Sequence, residues 1–124
     1  MDIQLVLNRL LIVKREQIVY IELSEILYIE RIKQKTLIHT DLQEISVDVS
    51  LKHMMSMLPD IFVRSHKSYI VNILNLRELN FFNRNTYEAY YKNRKTALVC
   101  KDIMRNSIKL FSVEGVKGYN SLKN

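Results

Sequence analysis

Short apolar runs rich in Ile and Val, separated by four-residue polar breaks, constrain this chain more than any other feature. Leu10-Leu11-Ile12-Val13 and Ile18-Val19-Tyr20-Ile21 flank Lys14-Arg15-Glu16-Gln17, and β-branched arms on either side of a short polar break predict a hairpin. Ile26-Leu27-Tyr28-Ile29-Glu30 and Lys35-Thr36-Leu37-Ile38-His39-Thr40 repeat the pattern across Arg31 to Gln34. That second tip is itself basic and is expected to reach outward. The period then changes. Leu51, Met54, Met55 and Leu58 stand at i, i+3, i+4 and i+7, with Ser50 as N-cap and Pro59 as stop, which predicts one short amphipathic helix over 51–58. Beyond it, Ile61-Phe62-Val63 and Tyr69-Ile70-Val71-Asn72 bracket the polar stretch Arg64 to Ser68, expected to be a turn or a short exposed segment between buried anchors. Leu76 to Phe82 and Thr86 to Tyr91 read as another antiparallel pair joined through Asn83-Arg84-Asn85, where asparagine tolerates turn geometry. A strand over Thr96 to Val99 and a helix from Asp102 to Phe111 follow. The expectation is one β-rich domain over residues 1–113 with two small helices, and a tail over 114–124.

Composition closes off several functions. The chain has two glycines, Gly115 and Gly118, so no glycine-rich phosphate loop, dinucleotide fingerprint or nucleophile elbow can be written. One cysteine, Cys100, excludes an internal disulfide, and with three scattered histidines it cannot assemble a four-ligand zinc site. No cofactor, metal or catalytic residue is therefore expected, and the chain does not read as an enzyme. The longest apolar run is four residues, far short of a membrane span, and the expected compartment is the cytoplasm.

Charge is segregated along the chain. Residues 1–60 hold seven Lys/Arg against nine Asp/Glu, and residues 61–124 hold twelve against four. A basic second half attracts polyanions. Lys101, Arg105 and Lys109 recur every four residues and so form one stripe on the last helix. Lys101 stands at that helix's N-terminus, where a cation opposes the dipole unless a phosphate joins it; an ordinary solvated face is the competing reading. Met54, Met55 and Met57 read as core filler, Glu22, Glu25 and Glu30 as the solvated side of a sheet, and Cys100 as a small half-buried residue. Phe81, Phe82, Tyr87, Tyr90 and Tyr91 are either core rings or a stacking platform for single strands.

Leu58-Pro59-Asp60 followed by Phe62-Val63-Arg64-Ser65-His66-Lys67-Ser68-Tyr69-Ile70-Val71-Asn72 resembles the signature of the LytTR family of bacterial DNA-binding domains. Ile21-Glu22-Leu23-Ser24-Glu25-Ile26-Leu27-Tyr28-Ile29-Glu30 looks like that family's first block, and the likeness runs from about Leu10 to Phe111. The resemblance implies a mainly β fold of about ten strands in three antiparallel sheets with one or two short helices. It also implies sequence-specific binding of promoter DNA by loops inserted into major grooves at direct repeats, commonly as the effector of a two-component response regulator.

Carried over by position, Gln34 with Lys35, then Lys67, then Lys101 resemble the base-reading sites. Lys33, Arg64, His66, Ser68, Arg105 and Lys109 are the expected phosphate contacts. His66 either donates to a phosphate or fixes the loop as a buried hinge, and Ser68 either caps the turn or touches a phosphate. This sequence departs from the family at Lys67, often Arg or Asn, and at Leu98-Val99-Cys100-Lys101, where a Pro-Val-Ser-Arg type of stretch is usual. Lysine is a point donor and leaves the preferred base unread. The expected partner is double-stranded promoter DNA, bound by a monomer that pairs on the repeat. A receiver domain does not fit in 124 residues, so control is expected from a receiver domain or sensor kinase elsewhere. The alternative is a basic module for an acidic protein partner or for non-specific RNA binding.

Overall fold

A computed structural model describes residues 2–106, which form eleven strands in three antiparallel sheets and two short α-helices. The first sheet is β1 (Asp2–Val6), β2 (Arg9–Val13) and β3 (Ile18–Glu22), in that order. The central sheet has β4 (Ile26–Ile32), β5 (Lys35–Thr40), β6 (Glu44–Val47), β7 (Phe62–His66) and β8 (Tyr69–Asn72), ordered β6-β5-β4-β8-β7. The third has β9 (Glu78–Asn83), β10 (Thr86–Tyr90) and β11 (Thr96–Cys100), ordered β11-β10-β9. Helix α1 covers Leu51–Met57 and α2 covers Lys101–Asn106.

The expected hairpins are present, but β1 and β6 carried too little signal to be read from sequence. β1 buries only Ile3 deeply, and β6 is four residues long with Ile45 and Val47 turned inward. Helix α1 begins as expected: the Ser50 hydroxyl accepts from His53 N–H at 3.0 Å, and the helix stops before Pro59. Met54 is fully buried, with Met55 and Met57 packed beside it. Helix α2 starts one residue earlier than expected. The rest of that expected helix, Lys109 and the tail over 114–124 lie outside the described residues.

The central sheet is covered on both faces, which explains why its strands are apolar on both sides. One face joins Ile29, Ile38, Phe62 and Ile70 to Leu10 and Ile12 of the first sheet and Leu51 and Met54 of α1. The other joins Tyr28, Val63 and Val71 to Ala89, Ala97 and Val99 of the third sheet. β4 serves both cores with four consecutive buried residues. Its register against β5 slips by one between Ile26 and Tyr28, so Leu27 is an extra residue that enters the second core beside Tyr28.

Asn72 anchors the far end of this arrangement. It is fully buried, its Nδ2 donates to the Ile26 carbonyl at 2.8 Å, and its Oδ1 accepts from Leu74 N–H at 3.1 Å.

Candidate nucleic-acid interface

Strand directions bring three basic points to one end of the molecule. β4 and β8 are antiparallel, with Glu30 opposite Tyr69, and Arg31 N–H donates to the Ser68 carbonyl at 2.8 Å. The β4–β5 tip, Lys33-Gln34, and the β7–β8 tip, Lys67-Ser68, therefore share an end of the central sheet. In the third sheet, the Tyr91 hydroxyl donates to the Asn72 carbonyl at the opposite end. Closer to the tips, the Ser65 hydroxyl donates to the Leu98 carbonyl at 2.8 Å, and β11 continues from there to Lys101. All three points thus project from the same end.

The β4–β5 tip is a two-residue loop, with Ile32 opposite Lys35. Lys33 takes φ 54°, a left-handed conformation that costs a residue with a Cβ about 1–2 kcal/mol. Lys33, Gln34 and Lys35 are all exposed. Arg31 below them is a brace: its guanidinium donates to Thr36 Oγ1 at 2.8 Å and to the Val49 carbonyl at 3.3 Å.

The stretch Arg64 to Ser68, expected as a turn or a short exposed segment, is a turn only at its end. Arg64, Ser65 and His66 belong to β7, and only Lys67 and Ser68 form the turn. The register slips by one between Arg64 and His66, which makes Ser65 the extra residue, and its side chain is wholly buried on the bond to Leu98. His66 Nδ1 accepts from Ser68 N–H at 3.1 Å, so Nδ1 carries no proton and the ring serves as a hinge through that nitrogen. Burial, then the charges of Lys67 and Arg64, hold its pKa below the usual histidine value. Arg64 Nε donates to the His66 carbonyl at 3.1 Å and its Nη2 to the Lys67 carbonyl at 2.6 Å. The turn is thus tied on two sides beneath an exposed Lys67.

Lys101 opens α2, and its N–H donates to the Asn85 carbonyl at 2.9 Å, so that amide is already engaged. Its ammonium lies 4.7 Å from the Phe81 ring centre and 5.0 Å from that of Tyr87. Arg105 is exposed and paired with Asp102. Lys33, Lys35, Lys67 and Lys101 form no ion pair among the described residues, unlike Arg9, Lys92, Lys95 and Arg105.

The aromatic residues form no common platform: Tyr91 is 3% exposed, whereas Phe81 is 71% and Phe82 51% exposed. A register slip between Thr86 and Tyr87 leaves Phe82 without a partner opposite. Strand alternation predicts that half of these rings pack and half face solvent, and the two phenylalanines are among the exposed half.

Sequence reading missed a polar cluster joining the central and third sheets. Glu30, expected on a solvated face, lies 2.7 Å from His39 Nε2. Lys95 Nζ lies 3.3 Å from His39 Nδ1 and 3.5 Å from Glu44, and Tyr28 stacks on the imidazole at 4.3 Å. Burial, aided by Glu30, pushes Tyr69 up to about 12. No signal short of the fold unites residues so far apart in sequence. No group of three metal-ligating side chains occurs among the described residues, and no described helix is long and apolar enough to cross a membrane.

A family model described as the LytTr DNA-binding domain matches residues 16–111. No curated protein matches the chain. Among solved structures, the chain is similar to the LytTr DNA-binding domain of a putative methyl-accepting/DNA response regulator from Bacillus cereus. The TM-score is 0.72 at 20% identity, covering 86% of this chain and 98% of that one.

Proposed function

This chain belongs to the LytTr DNA-binding domain family, and from that membership we propose that it recognises specific double-stranded promoter DNA through three basic points, two on hairpin tips and one at the start of α2. The observation that carries this reading is their common end: the Lys33-Gln34-Lys35 tip, the braced Lys67 turn and Lys101 lie at one end of the molecule, and the four lysines form no ion pair among the described residues. Two tied tips and a strand end suit insertion into successive major grooves, which admit a two-stranded ribbon. Gln34, Lys35, Lys67 and Lys101 read base edges. Lys33, Arg105, Lys109, Ser68 and the Nε2–H of His66 meet phosphates, and Arg64 does so with the part of its guanidinium that the turn leaves over. The protein acts in the cytoplasm as a transcription regulator, the effector of a two-component system, and catalyses nothing. One domain covers one half-site weakly, so a monomer in solution occupies a direct repeat in pairs.

Selection from a random duplex library, followed by titration of the selected and a scrambled duplex across salt, tests this. Because only some of the cations touch phosphate, log K should fall on log salt with a slope of about −3 to −6 per domain. An affinity for the selected duplex that is flat in salt, or equal to that for the scrambled one, overturns it.

A further inference from the structure

Lys101 is the only one of the three proposed base-reading lysines whose charged atom sits against aromatic rings among the described residues. Phe81 and Tyr87 face each other across β9 and β10, and the Lys101 ammonium lies within 5.0 Å of both ring centres. A cation within about 6 Å of a ring face is attracted by its quadrupole, more strongly as water is excluded. The backbone is held as well: Lys101 N–H donates to Asn85 in the β9–β10 tip, and Cys100 pairs with Thr86. Both the main chain and the ammonium of Lys101 are therefore registered on one hairpin.

A lysine side chain has four rotatable bonds and loses rotamer freedom when fixed. A lysine already aimed loses less on binding DNA, which raises affinity for the base it is aimed at. The ring at position 81 has little folding role, since it is 71% exposed. We infer that Phe81 and Tyr87 form an aromatic cradle that aims the Lys101 ammonium at DNA, making them positioning residues for base recognition. The inference rests on the proposed role of Lys101 and adds two residues outside the three basic points.

The test is a double-mutant cycle by fluorescence anisotropy on the library-selected duplex and a scrambled one, with thermal melts as control. Phe81→Leu and Tyr87→Leu should each weaken the selected duplex by about two- to fivefold and the scrambled duplex less. Phe81→Tyr and Tyr87→Phe keep the rings and should retain affinity. In a Lys101→Ala background, Phe81→Leu should have no further effect. If Phe81→Leu weakens binding equally with and without Lys101, or leaves it unchanged where Lys101→Ala weakens it, the cradle is overturned while the role of Lys101 stands. If Lys101→Ala itself changes nothing, the role of Lys101 fails and the cradle with it. The ring-current shift of the Lys101 side-chain protons in the free protein supplies a readout independent of DNA: it should be present in the wild type and reduced in Phe81→Leu, and its absence overturns the cradle.

Discussion

Lys33 shows how a single residue sets stability against function. Its φ of 54° suits glycine, yet a lysine occupies the tip. Lys33→Gly should raise stability by about 0.5–1 kcal/mol, the left-handed penalty relieved less the added freedom of the unfolded chain. It should also weaken selected and scrambled duplexes alike and lower the salt slope by about one. A melt that falls counts against the backbone penalty at Lys33, and DNA binding that is untouched counts against the tip as a phosphate contact. Lys67 should behave differently, because Arg64 and His66 hold the backbone of its turn from below and so fix where its side chain leaves the main chain. Lys67→Ala should cost about 1–3 kcal/mol on the selected duplex and narrow its margin over the scrambled one, whereas Arg105→Ala should weaken both equally. Equal losses for Lys67→Ala on both duplexes would reassign it to phosphate.

Between elements, the bulges carry information that periodicity does not. The β2–β3 and β4–β5 hairpins and α1 were legible because each has its own hydrophobic rhythm, and the motif around His66 located the second tip. Illegible were the extra residues Leu27, Ser65 and Phe82, since a bulge is defined against a partner strand and nothing within one strand announces it. Ser65 is the instructive case. It looked like part of an exposed turn, but its hydroxyl ties β7 to β11 across thirty-three residues of sequence, and so sets where Lys101 lies relative to Lys67. Ser65→Ala should cost about 1–3 kcal/mol, because the Leu98 carbonyl is left without that donor. Urea denaturation measures the loss; a variant as stable as wild type would show the tie to be replaceable by water. Of the candidate site, the positions of its lysines were legible, but not the braces Arg31 and Arg64 or the rings around Lys101, which depend on packing across the sheets.

At the scale of the whole molecule, the link between the central and third sheets includes a titratable group, His39, 3% exposed between Glu30, Glu44, Lys95 and the Tyr28 ring. Two effects oppose each other. The Glu30 carboxylate at 2.7 Å favours imidazolium, while burial disfavours it, and the Lys95 ammonium facing Nδ1 adds to burial. Burial is the larger, and the pKa is lowered. At Nδ1 the partners are mixed: a neutral ring donates from Nε2–H to Glu30 and accepts at Nδ1 from Lys95, whereas a protonated ring would turn an N–H toward both the Lys95 ammonium and the Glu44 carboxylate, each 3.3 Å away, so burial decides. With a folded pKa below the unfolded value of about 6.5, the unfolded chain takes up the proton first as pH falls. Stability should therefore be full above about pH 7 and decline on acidification through about pH 6, before most carboxylates titrate. His66, also lowered, acts in the same direction. The melting temperature should drop between about pH 7.5 and 5.5, and His39→Gln should flatten that drop whatever its own stability. A wild-type melt that rises on acidification would mean that Glu30 outweighs burial and that the two sheets are joined by an ion pair instead of by a neutral imidazole.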